Sequence, residues 1–212
     1  MGVDRKLDGP PAQFRAAVEQ LHAARLRPEI ELSEVPAPQR IAPYAAALGA
    51  DIMHDGQDIG TGRFVLLHDP AGNDSWEGTY RCVTFVRAEV DPEMVRDPML
   101  SAVAWSWLSD AWQAYELDAI APSGTVTVVL SEGFGNIAHD SLSAQVEVRA
   151  SWTPAVTSLG AGSSPGPGPA PGPTAGLAGH VQAWGELLGA AAGLGPLPTG
   201  VASLPRRPRA RG

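Results

Sequence analysis

Cysteine occurs once in these 212 residues, as Cys82. That excludes an intrachain disulfide and a zinc site built on cysteines. Lysine is equally scarce: Lys6 stands alone against 14 arginines. Scarce lysine beside abundant Ala, Gly and Pro points to a GC-rich coding sequence. Positive charge is also in deficit, with a net charge of −8. Neutralising nucleic-acid phosphates needs clustered Lys and Arg, so no nucleic-acid partner is expected. No apolar run approaches the roughly 18 residues that would cross a bilayer. The first residues, Met1-Gly2-Val3-Asp4-Arg5-Lys6, lack an apolar signal core. Lys6 also stands where a myristoylation pattern needs Ser or Thr. A soluble, reduced, cytoplasmic protein without membrane attachment is expected.

Familiar catalytic signatures are missing too. No two histidines stand at i, i+4, as a helical zinc site requires. Gly72, Ser75 and Gly78 have the wrong spacing for a nucleophile elbow. Gly60-Thr61-Gly62 precedes an apolar run of strand character, where a dinucleotide fingerprint would open a helix. No catalytic residue, metal or cofactor is assigned.

What is present is unevenly spread. Residues 1–154 hold 22 acidic and 11 basic residues, whereas 155–212 hold four Arg, one Glu, 13 Gly and nine Pro. The second part exceeds the Gly and Pro level of a low-complexity segment. The division is a single domain over 8–154 and a disordered tail over 155–212. Within the tail, Leu177, Val181, Trp184, Leu187 and Leu188 share a helical face, predicting a short amphipathic helix over 176–190.

In the domain, Asp8, Pro10 and Pro11 read as a helix start. Phe14, Ala17, Val18, Leu21 and Ala24 recur at helical spacing until Pro28. Residues 29–35 alternate as a short strand. Ala45, Ala46, Ala47 and Leu48 favour helix locally. The turn 54–58 before the strand 62–68 makes 46–53 a hairpin strand instead. Residues 69–75 carry loop chemistry. Over 80–90 both faces are partly apolar, which describes a central strand. Asp97 and Pro98 open the strongest helix, 98–117, whose apolar stripe holds Trp107 and Trp112 and spans more than half the circumference. Residues 124–130 and 145–152 close the domain as a hairpin. Strands in runs around one long helix mean α+β with a mostly antiparallel sheet, packed by the N-terminal and Trp-rich helices.

Several strings together carry a resemblance. Gly62-Arg63-Phe64-Val65-Leu66-Leu67-His68-Asp69-Pro70, Trp76-Glu77-Gly78-Thr79-Tyr80-Arg81, Trp105-Ser106-Trp107-Leu108 and Arg149-Ala150-Ser151-Trp152-Thr153-Pro154 resemble the actinobacterial family catalogued as domain of unknown function 3000. The similarity covers about residues 8–154 and excludes the tail. It implies a high-GC Gram-positive origin and a cytoplasmic setting. It supplies no activity, cofactor or catalytic residue.

The candidate binding groups are His68, Asp69, Asp74, Trp76, Arg81 and Arg149. The first four, with Asn73 and Glu77, surround one loop at a strand end, where binding groups often collect. Asp69, Asp74 and Glu77 could hold a cation, but Pro70 and Ala71 interrupt the ligand positions. The competing reading is a turn whose side chains cap its own backbone. Arg81, Arg87, Glu89, Glu147 and Arg149 share one sheet face if their strands pair in the right register. That face is either an anion pocket or a set of cross-strand ion pairs. The Trp105/Trp112 edge and the tail face of Leu177, Val181, Trp184 and Leu188 are candidate surfaces for a protein partner. Two functions follow. The first is a non-enzymatic binding or adaptor module. The alternative is a small enzyme or ligand-binding domain acting on an anionic metabolite through the 68–77 loop.

Overall fold

The computed structural model describes residues 9–136, 142–155 and 176–195. Among these residues the α+β class and antiparallel sheet are present, with six strands and three α-helices. The order is α1 (Ala12–Ala23), β1 (Ile30–Glu34), β2 (Tyr44–His54), β3 (Gln57–Asn73), β4 (Gly78–Val90), α2 (Leu100–Ala114), β5 (Ala119–Glu132), β6 (Leu142–Pro154) and α3 (Leu177–Ala191). The strands lie in the sheet as β1-β2-β3-β4-β6-β5. Every neighbouring pair is antiparallel. None of the three helices is long and apolar enough to cross a membrane, among the described residues.

Local chemistry explains most boundaries. α1 begins directly after Pro11 with no side-chain cap; Asp8 lies outside the described residues. Asp97 accepts from the Met99 amide at 2.8 Å, and α2 begins one residue later. The alanines of β2 pair with β3 through the turn at Asp55 and Gly56, both with positive φ. That pairing overrides their helical preference. β3 runs past His68 as far as Asn73, but its ladder with β4 breaks between those two positions. The expected loop 69–75 is therefore mostly extended backbone ending in a 3-10 turn at Asp74–Trp76.

The core forms on one face of the sheet. Phe64 and Leu66 of β3, Cys82 and Val86 of β4, and Val146, Val148 and Trp152 of β6 are all buried there beneath the helices. Burial pushes the Cys82 thiol well above its ordinary range, which keeps it protonated and unreactive. Trp112 packs edge-on to Trp152 with centroids 5.0 Å apart. Trp105 is half-buried over Gly124. The proposed Trp105/Trp112 edge thus does not form, because Trp112 belongs to the core.

Residues 177–191 depart furthest from the sequence expectation. They were expected within a loose tail, yet α3 packs on α1 and α2 and on β3, β4 and β6. Leu177, Val181, Trp184, Leu187 and Leu188, offered as a partner-binding face, are fully buried inside this chain. The Gln20 side chain of α1 accepts from the Leu177 amide at 2.9 Å, satisfying one end group of α3. A Cβ on Gly62 of β3 would come within 2.6 Å of Leu188 and 2.8 Å of Trp184, so the helix rests directly on that glycine. The remainder of 155–212, apart from 155, 176 and 192–195, lies outside the described residues.

Gly124 is the other close approach. A Cβ there would fall 2.2 Å from the Arg149 carbonyl and 2.5 Å from the Trp105 ring. The first obstacle is backbone and cannot rotate away. Gly124→Ala is expected to cost about 2 kcal/mol, read as a lowered melting temperature.

Candidate functional site

The residues of the 68–77 loop do not converge. His68 is 0% exposed and faces the core. Its ring stacks on Tyr80 at 4.2 Å and on Phe14 of α1 at 5.8 Å. Nδ1 lies 2.9 Å from the Thr79 carbonyl, so that nitrogen carries the proton. Nε2 is then free to accept from the Gln13 amide, 3.3 Å away. Desolvation holds the imidazole below its ordinary pKa, against the opposing hydrogen bond to Thr79. It is a satisfied core histidine. Asp69 accepts from the Ala71 amide at 3.0 Å, and Asn73 accepts from Ser75 at 2.9 Å. Asp74 is exposed and Trp76 half-buried. The loop chemistry is therefore that of a backbone-capping turn. No group of three metal-ligating side chains occurs among the described residues.

The other two candidates lie on the opposite, helix-free face. Alternation along each strand and the observed register place Arg63, Val65 and Leu67 of β3 beside Arg81, Val83, Phe85 and Arg87 of β4. Glu147, Arg149, Ser151 and Thr153 of β6 join the same face. Four arginines thus share one side of a sheet in a chain of net charge −8. Phe85 is at their centre, directly opposite Arg63 on one neighbour and Arg149 on the other. The Arg149 guanidinium lies 5.1 Å from the Phe85 ring centroid and bonds Glu147 at 3.0 Å. Arg63 reaches outward and donates to the Pro36 carbonyl.

Arg81 differs from the rest. It is 7% exposed, and no carboxylate stands within ion-pair distance of it among the described residues. Hydroxyls hold it instead. Nη2 donates to Ser151 Oγ at 2.9 Å and Ser123 Oγ at 3.3 Å, while Nη1 donates to Thr153 Oγ1 at 3.4 Å. Burial lowers its pKa, opposed by the neighbouring Cys82 and Glu77, yet a guanidinium stays charged. Ser123 comes within reach because the β5 register shifts between Ile120 and Ser123, where Ala121 takes a positive φ. This irregularity aims the serine at Ser151, 3.2 Å away, as bulges commonly do.

A groove of about 720 Å³ opens beside this cluster, lined by Val65, Val83 and Phe85 with Arg63, Arg149, Ser123 and Ser151. Arg81 donates to both serine oxygens. The two serine protons are therefore available to each other and to an acceptor in the groove. A buried positive charge thus reaches the groove through hydroxyl donors.

Sequence reasoning nominated Arg81 and Arg149 but missed Arg63, Val65, Val83, Phe85, Ser123 and Ser151. The alternation of β4 already put Val83 and Phe85 on the arginine face. Ser123 carried no such signal, since its position depends on the register shift in β5.

Among known protein families, the model for the protein of unknown function DUF3000 matches residues 10–202. The match runs well past Pro154 and takes in α3, which the resemblance in the strings had excluded. No curated protein and no solved structure matches this chain.

Proposed function

We propose, for a chain that belongs to the DUF3000 family, a binding role in which the open sheet face takes a small amphipathic anion. The apolar body of the ligand rests on Val65, Val83 and Phe85. Its anionic group accepts from Arg149 and from the Ser123 and Ser151 hydroxyls that Arg81 polarises. The observation carrying this reading is Arg81 itself. A guanidinium buried without a carboxylate costs free energy unless something compensates its charge. Binding, not catalysis, is favoured because the groove lining supplies hydrogen-bond donors and no histidine, cysteine or carboxylate. A cytoplasmic setting fits the single buried thiol. The alternative, a small enzyme or ligand-binding domain acting on an anionic metabolite through the 68–77 loop, draws no support from the placement of His68 and Asp74.

The test uses 8-anilinonaphthalene-1-sulfonate, which joins an aromatic body to a sulfonate, and N-phenyl-1-naphthylamine, which lacks the charge. Saturable fluorescence enhancement by the folded protein is expected with the first dye, and weaker binding with the second. Arg149→Ala removes a charge-assisted hydrogen bond of about 1.5–3 kcal/mol, so affinity should fall at least about tenfold. Val83→Asp, at an exposed position, should do the same. Arg81→Met should lose affinity while the fold survives, because a buried charge is exchanged for an apolar side chain of similar length. Unchanged affinity in Val83→Asp with intact near-UV circular dichroism would place the dye elsewhere and remove the groove from consideration.

A further inference from the structure

We infer that the edge of β5 left open among the described residues is the seam on which a second copy of this chain pairs, and this goes beyond the groove to a different surface. The sheet has two edges, β1 and β5, and they are unlike. β1 has only five residues. It carries Glu31 and Glu34, the latter bridged to His22 of α1 at 3.2 Å. Such an edge is short, charged and fastened to a helix, which discourages further pairing. β5 runs for 14 residues and bonds only to β6 among the described strands. Positions 124–131 read Gly-Thr-Val-Thr-Val-Val-Leu-Ser, with no charge and no proline. A long neutral edge with unpaired backbone groups is a template for another strand.

Exposed apolar surface collects at the same place. Ten large apolar side chains are exposed among the described residues. Eight of them belong to β5, to the adjoining ends of the β5–β6 hairpin, or to the segment 94–103 that enters α2. They include Met99, Val103 at 42% exposure, Leu130 at 45% and Leu142. α2 packs against β5, so Val103 and Leu130 extend the edge on the helix side. The charge pattern selects the partner. A neutral strand meets its own copy without like-charge contact and offers nothing to attract a charged peptide. Antiparallel pairing about a two-fold axis is self-complementary, with each copy presenting the same patch. Eight residues at about 3.4 Å each make a seam about 27 Å long. Thr125 lines the groove described above, so the pairing sets two grooves on one continuous sheet face, either side of the axis.

Sedimentation equilibrium of the full 22.1 kDa chain decides this. A concentration-dependent mass of two copies is expected. Leu130→Lys with Val103→Lys should raise the dissociation constant at least about tenfold, because both sites are exposed and the change acts on pairing, not folding. Thr127→Cys should link two copies through a flexible bismaleimide, since Cys82 is buried, and Ser33→Cys on β1 should not. A single-copy mass at every concentration would overturn the inference. So would a dimer that ignores the double lysine variant and links through Ser33→Cys. Slow amide exchange along 124–131 in a monomer would assign the edge to another segment of this same chain, and overturns it equally.

Discussion

A chain ending at Pro154 is expected to show no cooperative thermal unfolding and no near-UV circular dichroism. The truncation removes α3, and with it five large side chains that are fully buried: Leu177, Val181, Trp184, Leu187 and Leu188. At roughly 1.5–3 kcal/mol each, their burial contributes on the order of 10 kcal/mol. That is comparable to the entire net stability of a domain, about 5–15 kcal/mol. The loss also uncovers what lies beneath. Phe64 has the Trp184 ring at 5.7 Å, and the Trp152 indole N–H donates a hydrogen bond to His180 of α3. The sheet would be left with an exposed apolar face. The graded version is Trp184→Ala, which should cost about 3–5 kcal/mol by leaving a cavity. Trp184→Phe should cost less, because the Trp184 Nε1 is buried without a partner among the described residues and its removal relieves that penalty. Calorimetry on the three proteins checks the order. A truncated chain that melts sharply near the full-length temperature would contradict the central place given to α3.

Acidification is expected to remove about 3 kcal/mol of stability between pH 6.5 and pH 4 through His180 alone. Burial depresses this imidazole from 6.5 to about 4. The geometry shows why. Trp152 Nε1 donates to His180 Nδ1 at 3.1 Å, so that nitrogen must keep a lone pair. Protonation would place two donors face to face inside the core. In the unfolded chain the same imidazole protonates near its ordinary value. The unfolded state therefore binds the proton first as pH falls, and the folded state is penalised by about 1.4 kcal/mol per pH unit until its own group titrates. Stability is full above pH 6.5 and the His180 contribution is gone by about pH 4. His68, also depressed by burial, adds to the loss in the same direction. Urea denaturation at successive pH values measures the slope. In His180→Gln, whose side-chain oxygen can still accept from the indole, the slope should fall by about one proton. An identical slope in that variant would show that another group controls the acid limb.

The two tests separate parts of the molecule that look alike in composition. Residues 177–191 contain one charged residue, Glu186, and small residues fill the sides between the large ones. Gly179, Ala183, Gly185, Gly189 and Ala191 are as buried as the leucines. A helix that is apolar or small all round belongs inside a protein. That signal was in the sequence, but the adjoining Gly and Pro run drew the segment into the low-complexity part. The distance along the chain hid the partners too. Gln20 caps Leu177 across 157 positions, and no local pattern reports such a contact.

Site residues divide in the same way. His68, Asp69 and Asp74 were grouped because they are neighbours in the chain, yet a strand sends alternate side chains to opposite faces. His68 goes to the core, Asp69 caps the Ala71 amide and Asp74 is exposed. Arg81 and Arg149 were grouped on the condition of register. The pairing of Phe85 with Arg149 and of Arg87 with Glu147 met that condition.

By itself the sequence determined the α+β class, the faces of the individual strands and, among the described residues, the lack of a helix able to cross a membrane, because each follows from local periodicity and residue chemistry. Only the tertiary structure decided that α3 completes the core and that, among the described residues, Arg81 is held by hydroxyls with no carboxylate beside it and the β5 edge stands open. Those facts depend on which distant segments meet. Register, a shifted strand and a long return of the chain are set by the packing of the whole, and no window of neighbouring residues contains them.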